Sequence, residues 1–175
     1  MRSLRFPPAS IVLLIAAVWA AAPPPAVASE GDEEAVAAAV GAFYSALNDM
    51  FTGDLESMRE VWSHADDVTY MGPGGGIQVG WPAVLESWEA QAAMELGGEV
   101  QPADVHTTVG GALAVTVGWE IGTNVAEQQV RIRATNVFRK ESGAWKMIGH
   151  HTDLLPFLQG DDETPSDGAS TAAEQ

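Results

Sequence analysis

Cysteine is absent from the 175-residue chain. This absence excludes a disulfide framework, thiolate metal ligands, a cysteine nucleophile and a lipid-modified cysteine at an export site. Basic residues are scarce as well, with 8 Lys and Arg against 24 Asp and Glu. Because nucleic-acid phosphates and anionic membrane surfaces attract cations, we expect neither to be a partner of this acidic protein.

A membrane-spanning run is also missing. The apolar run at residues 11–22 contains 12 residues, whereas a helix that crosses the hydrocarbon layer needs about 20. Arg2 and Arg5 precede this run and Ala26-Val27-Ala28 follows it, which is the pattern of a secretory signal peptide over residues 1–28. We therefore expect export by the general secretory route to the periplasm or the extracellular space, with no membrane anchor after cleavage.

The C-terminal residues 159–175 contain five acids, no base and no large apolar side chain after Gly160. Such a segment cannot bury enough apolar surface to order itself, so we predict a disordered acidic tail. The tail either increases the solubility of the protein or binds a partner. One folded domain over residues 30–158 remains between the signal and the tail.

Within this domain, helical patterns come first and strand patterns come last. Val36, Val40, Phe43 and Leu47 recur at helical spacing, and Pro82 suits the first turn of a later helix. Four alternating segments follow Gly98, separated by turn residues. This order predicts an α+β fold with an antiparallel sheet packed on helices. The predicted elements are helices at 36–51, 55–62 and 82–96 and strands at 67–72, 100–109, 112–124, 128–140 and 144–154.

Three local sequences carry a resemblance to a known family. They are AFYSALNDMFTGDLESM at 42–58, WSHADDVTYMGPGGG at 62–76 and ATNVFRKESGAWKMIGHHTD at 134–153. In this order they resemble the nuclear transport factor 2-like superfamily, and within it the SnoaL-like and ketosteroid-isomerase-like domains. The resemblance implies a cone-shaped fold, in which a curved antiparallel sheet wraps around three N-terminal helices and encloses an apolar cavity. It also implies a homodimer formed through the outer face of the sheet.

The isomerase branch of this superfamily uses a tyrosine and two aspartates. The resemblance places these three positions at Phe43, Gly72 and Asn136, so none of the three side chains is kept. Because that mechanism needs a carboxylate base and a neutral acid donor, we do not expect steroid isomerisation by the same residues.

The last predicted strand contains two adjacent histidines. Strict alternation places His151 and Asp153 on the face of Trp145 and Met147, towards the cavity mouth, and places His150 on the opposite face. His151 is then a candidate general base that Asp153 orients. The alternatives are a histidine that binds a ligand and one that hydrogen-bonds the sheet end or lines a dimer contact. Since adjacent strand residues point apart, we expect no metal site, and no motif indicates a cofactor.

Several other residues are candidates for ligand binding. The resemblance places Asn136 inside the cavity, and Trp81 lies beside a loop where it suits the rim of a pocket. Tyr44, Met71 and Phe43 are further candidates.

The sequence leaves three functions open. The first is an exported homodimer that binds a small apolar or carboxylated ligand without catalysis. The second is an isomerase-, cyclase- or hydrolase-like enzyme that uses His151 and Asp153 as acid and base. The third is a protein-interaction module with a vestigial pocket. Arg131 and Arg133, on one face of a strand, suit a dimer interface or an anion site.

Overall fold

The computed structural model describes residues 30–153; the expected signal peptide and acidic tail lie outside the described residues. The described chain forms three helices and one curved six-stranded sheet with the strand order β2-β1-β6-β5-β4-β3. The predicted α+β class is confirmed. The elements are α1 (Glu30–Met50), α2 (Glu56–Val61), β1 (Thr69–Met71), β2 (Gln78–Val79), α3 (Trp81–Ala92), β3 (Glu99–Gly110), β4 (Leu113–Thr123), β5 (Gln129–Glu141) and β6 (Ala144–Asp153).

Two features of the sheet differ from the expected antiparallel meander. Strand β2 was not predicted, because two residues show no periodicity, and it pairs antiparallel with β1. Strand β1 then pairs parallel with β6, with Tyr70 opposite His150. Alternation in a sequence shows which residues share a face, but it does not show which strand lies next to which.

Helix α1 packs its apolar stripe into the core of the domain. Val36, Val40, Phe43 and Leu47 are all buried, as their helical spacing predicts. Acidic residues fill the first turn, where the helix dipole stabilises negative charge. The helix ends before Gly53, whose φ of 93° suits a residue without a Cβ, and the Gly53 amide donates to the Met50 carbonyl at 3.0 Å.

Helix α3 begins beside β1 because its first residues bond to that part of the chain. Gly80 has a φ of 84°, and its amide donates to the Val68 carbonyl at 2.8 Å. The Trp81 amide donates to the Ala65 carbonyl at 3.1 Å, and Pro82 occupies the first turn. No helix within residues 30–153 is both long and apolar enough to cross a membrane.

Strand β6 contains a β-bulge that decides which of its residues face the helices. Phe138 of β5 pairs with Met147 of β6. The preceding residue of β5, Val137, pairs with Gly149 rather than with Ile148. Ile148 is therefore an extra residue on β6, and the alternation of faces is offset by one position beyond it. Met147 lies on the inner face before the bulge, and His150 and Thr152 lie there after it.

Candidate functional site

Four buried polar residues meet on the inner face of the sheet, and we call them the Glu120 cluster. They are Tyr44 from α1, Glu120 from β4, Asn136 from β5 and His150 from β6. Each is at most 5% exposed. Asn136 and His150 are directly opposite each other in the ladder, so strand pairing itself sets their contact.

A chain of hydrogen bonds through the cluster ends at Glu120. His150 Nδ1 lies 2.6 Å from Asn136 Oδ1, and since this oxygen only accepts, we assign the proton to Nδ1. Asn136 Nδ2 donates to Tyr44 Oη at 3.4 Å, and Tyr44 Oη donates to Glu120 Oε1 at 3.0 Å. His150 Nε2 faces the same Glu120 oxygen at 3.7 Å.

Burial shifts the pKa values of this cluster towards neutral side chains. It raises the pKa of Glu120 from 4.5 to about 7, against a smaller lowering by the Tyr44 hydrogen bond. Burial also lowers the pKa of His150 from 6.5 to about 3, and it raises the pKa of Tyr44 above its usual value. Near neutral pH the imidazole and the phenol are therefore uncharged, and Glu120 is the group that exchanges a proton.

Aromatic rings surround the imidazole of His150. The Phe43 ring centroid lies 4.9 Å from it, and the Tyr70 ring stacks parallel to it at 5.8 Å. Trp88 packs on Tyr70 at 4.3 Å. These rings enclose the imidazole in an apolar environment, which strengthens its electrostatic interactions.

Gly72 lies at the position that the resemblance assigns to a proton-shuttling aspartate. The space beside it is occupied by the Tyr70 hydroxyl, which a Cβ at this position would overlap. The structure therefore adds a steric reason why this chain does not carry the aspartate.

His151 and Asp153 form a pair, but on the opposite side of the sheet from the Glu120 cluster. His151 Nε2 lies 3.2 Å from Asp153 Oδ1, and the two side chains are 42% and 46% exposed. Asp153 also approaches Arg133 at 3.7 Å. The predicted faces of His150, His151 and Asp153 were wrong, because the bulge at Ile148 reverses the alternation. The acid–base role of His151 and Asp153 stays a prediction.

The other predicted site residues divide into two groups. Asn136 and Tyr44 belong to the cluster, and Phe43 is fully buried against His150. Met71 and Trp81 are half-buried. Met71 pairs with His151 on the adjacent strand, and Trp81 stacks on His64 at 4.3 Å. Neither side chain has a described contact with the cluster.

Glu120 was missed by the sequence analysis, although β4 contained a signal for it. Ala114 and Thr116 are buried, and Glu120 shares their face at even spacing. A lone acid on the inward face of an amphipathic strand indicates a functional carboxyl, because an unpaired charge is costly to bury.

A model of the SnoaL-like domain matches residues 36–154. The chain belongs to the SnoaL-like family. This membership and the fold confirm the resemblance to the nuclear transport factor 2-like superfamily.

Two solved structures are similar to this SnoaL-like chain. One is a candidate dehydratase of the nuclear transport factor 2-like family from Streptomyces avermitilis, with 29% identity, a TM-score of 0.61 and coverage of 72% of this chain and 97% of that one. The other is a candidate calcium/calmodulin-dependent protein kinase type II association domain from Thiobacillus denitrificans, with 27% identity, a TM-score of 0.62 and coverage of 68% and 94%.

A curated relative is the F-box protein SKIP8 of Arabidopsis thaliana, which is 26% identical over 121 residues, 69% of this chain. The match spans 50% of the length of that relative.

Proposed function

We propose that this SnoaL-like protein is an acid–base enzyme that binds a small, neutral, largely apolar molecule at the Glu120 cluster. The observation that carries the proposal is the buried carboxyl of Glu120, which accepts a hydrogen bond from Tyr44 and lies 3.7 Å from the His150 ring nitrogen Nε2. A general base works best when its pKa lies near the working pH, and burial brings the pKa of Glu120 to about 7. The similar Streptomyces avermitilis structure, named as a candidate dehydratase, agrees with a reaction of this class.

The cluster favours a neutral ligand over an anionic one. It contains no lysine or arginine, and burial holds His150 in its uncharged form by lowering its pKa to about 3. A carboxylate placed beside Glu120 would be desolvated without a compensating cation, which is costly. Of the apolar and carboxylated ligands that the sequence admitted, we therefore retain the apolar ones that carry a carbonyl or hydroxyl oxygen.

The proposed chemistry is a reversible proton transfer. The Glu120 carboxylate removes a proton from the carbon next to a ligand carbonyl, and the electron pair of the C–H bond moves into an enolate. Return of the proton to another carbon completes an isomerisation. Delivery of the proton to a hydroxyl group on the β-carbon, with cleavage of its C–O bond, gives an unsaturated carbonyl compound and water. Tyr44 holds the carboxyl in place throughout.

Assembly and location belong to the same proposal. We propose export and signal cleavage as the N-terminal pattern predicts, and homodimer formation through the outer face of the sheet. That face presents an apolar stripe on β4, where Leu113, Val115 and Val117 are 48%, 38% and 44% exposed. A second copy that covers this stripe would remove apolar surface from water.

A ketone probe tests the catalytic proposal without a known substrate. The protein is incubated with 2-tetralone in deuterated buffer, and exchange of the protons next to the carbonyl is followed by proton NMR. We expect exchange above the buffer rate in the wild type, loss of it in Glu120→Gln and retention in the matched control His151→Ala. Exchange that survives Glu120→Gln but is lost in His151→Ala would assign the base to the outer histidine instead. Binding of the ketone without exchange would support the non-catalytic pocket protein.

A further inference from the structure

Thr152 is a buried polar residue that the cluster does not use. It lies on the inner face of β6, two residues beyond His150, and is 3% exposed. Among residues 30–153, its hydroxyl has no hydrogen-bond partner. A buried hydroxyl without a partner is destabilising, and a valine would fill the same volume without that cost. Within residues 30–153, the fold therefore gives this hydroxyl no hydrogen-bonding role.

The ladder places this hydroxyl next to the path of the Glu120 side chain. Thr152 is paired with Ala134 on β5, and Ala134 is paired with Gly118 on β4. This row of small residues separates the ladder row of His150 from the row of Glu120. The Glu120 carboxyl lies 3.7 Å from the His150 ring. To reach it, the Glu120 side chain must extend over Ala134, which lies between the two residues on the inner face. Neighbouring strands are about 4.8 Å apart, so Thr152 lies one strand from this point.

We propose that Thr152 is a specificity-determining residue whose hydroxyl donates a hydrogen bond to the carbonyl oxygen of the ligand. This inference rests on the proposed function and extends it, because it names the residue that recognises the carbonyl oxygen of the ligand. A carbonyl oxygen lies about 2.4 Å from the carbon that loses the proton, so a base and an oxygen donor must stand side by side. The ladder places Glu120 on β4 and Thr152 on β6 on either side of Ala134, both on the inner face of the sheet. Negative charge that develops on the oxygen is then stabilised by the Thr152 donor.

Two related probes separate recognition of the oxygen from apolar packing. Binding of 2-tetralone and of tetralin, the same bicycle without the oxygen, is titrated against the wild type, Thr152→Val and Thr152→Ser. We expect Thr152→Val to weaken 2-tetralone binding about five- to tenfold, as for one lost hydrogen bond, and to leave tetralin binding unchanged. Thr152→Ser, which keeps the hydroxyl, is expected to retain most of the affinity.

A measurement without ligand completes the test. Because valine removes a buried hydroxyl without a partner, we expect Thr152→Val to melt at the same temperature as the wild type or higher. A large fall in melting temperature would show that the hydroxyl has a structural role and would overturn the inference. Equal weakening of both probes, or no weakening of 2-tetralone, would overturn it too. A wild type that binds neither probe would overturn the proposed function together with it, whereas binding without proton exchange would remove the catalytic step alone.

Discussion

Replacing Glu120 by glutamine changes how the stability of the folded protein depends on pH. Burial raises the pKa of Glu120 from 4.5 to about 7, so the folded state holds a proton that the unfolded state releases. The stabilising contribution of the neutral carboxyl is fully present below pH 4.5 and is lost as pH rises to about 7. Glutamine stays neutral throughout and accepts the same Tyr44 hydrogen bond.

The size of this effect follows from the pKa difference. Each tenfold change in proton concentration corresponds to about 1.4 kcal/mol for one proton. The interval from 4.5 to about 7 therefore amounts to about 3 kcal/mol. The sequence pI is about 4.3, and solubility is lowest near that pH. Measurements from about pH 5.5 to 8 avoid this region and still cover about 2 kcal/mol of the change.

His150 makes a contribution of opposite sign. Burial lowers its pKa from 6.5 to about 3, so its stabilising contribution rises with pH across that interval. Between pH 4.5 and 6.5 the contributions of Glu120 and His150 to the pH dependence of stability largely cancel in the wild type. The stability of the wild type alone would therefore reveal neither contribution. The difference between Glu120→Gln and the wild type removes the part of the histidine contribution that both proteins share.

Urea unfolding, followed by tryptophan fluorescence at half-unit pH steps, measures this difference. We expect the free energy of unfolding of Glu120→Gln minus that of the wild type to grow by about 1.4 kcal/mol per pH unit up to about pH 7, and then to level off. His151→Gln is the control, because that side chain is half-exposed on the outer face. Parallel curves for Glu120→Gln and the wild type would refute the raised pKa, and so would a difference that shrinks with pH.

Three further changes have defined outcomes. Tyr44→Phe removes the hydrogen bond that lowers the pKa of the buried carboxyl, so the pH profile of 2-tetralone exchange should move to higher pH. Gly72→Ala should lower the melting temperature, since its Cβ would overlap the Tyr70 hydroxyl, whereas Gly74→Ala meets no atom within 4 Å and should not. Val117→Glu on the outer face should convert a dimer to a folded monomer in native mass spectrometry, and Val125→Glu in the nearby loop should leave it dimeric.

The order of elements was predictable because each long element carries its own period. Val36, Val40, Phe43 and Leu47 repeat at helical spacing, and the late strands alternate between turn residues. Both signals arise from burial of one side of an element, so they survive in a single sequence. The two-residue strand β2 and the parallel pairing of β1 with β6 depend on partners distant in the chain, and no local pattern encodes them.

The candidate site was only partly predictable from the sequence. Asn136 was identified through the resemblance and Tyr44 as a further aromatic candidate, and both belong to the cluster. His150 was assigned to the wrong face because the bulge depends on the pairing of β6 with β5, which alternation within β6 alone does not reveal. Glu120 was overlooked although its spacing from Thr116 places it inward. The spacing of a charged residue from its neighbours in a strand thus shows which face it lies on, just as the spacing of an apolar residue does.

The bulge at Ile148 also has a consequence for the evolution of the site. Deleting this one codon would leave Met147 and Gly149 opposite the same partners, so His150 would keep its place. Retaining the codon in an unbulged strand would instead place Gly149 opposite Asn136 and His151 opposite Ala134, and His150 and Thr152 would turn to the outer face. A slippage of one residue is therefore equivalent to several simultaneous substitutions in the site. Whether the extra residue is taken up by a bulge or by a shift of register therefore decides which side chains of β6 face the helices.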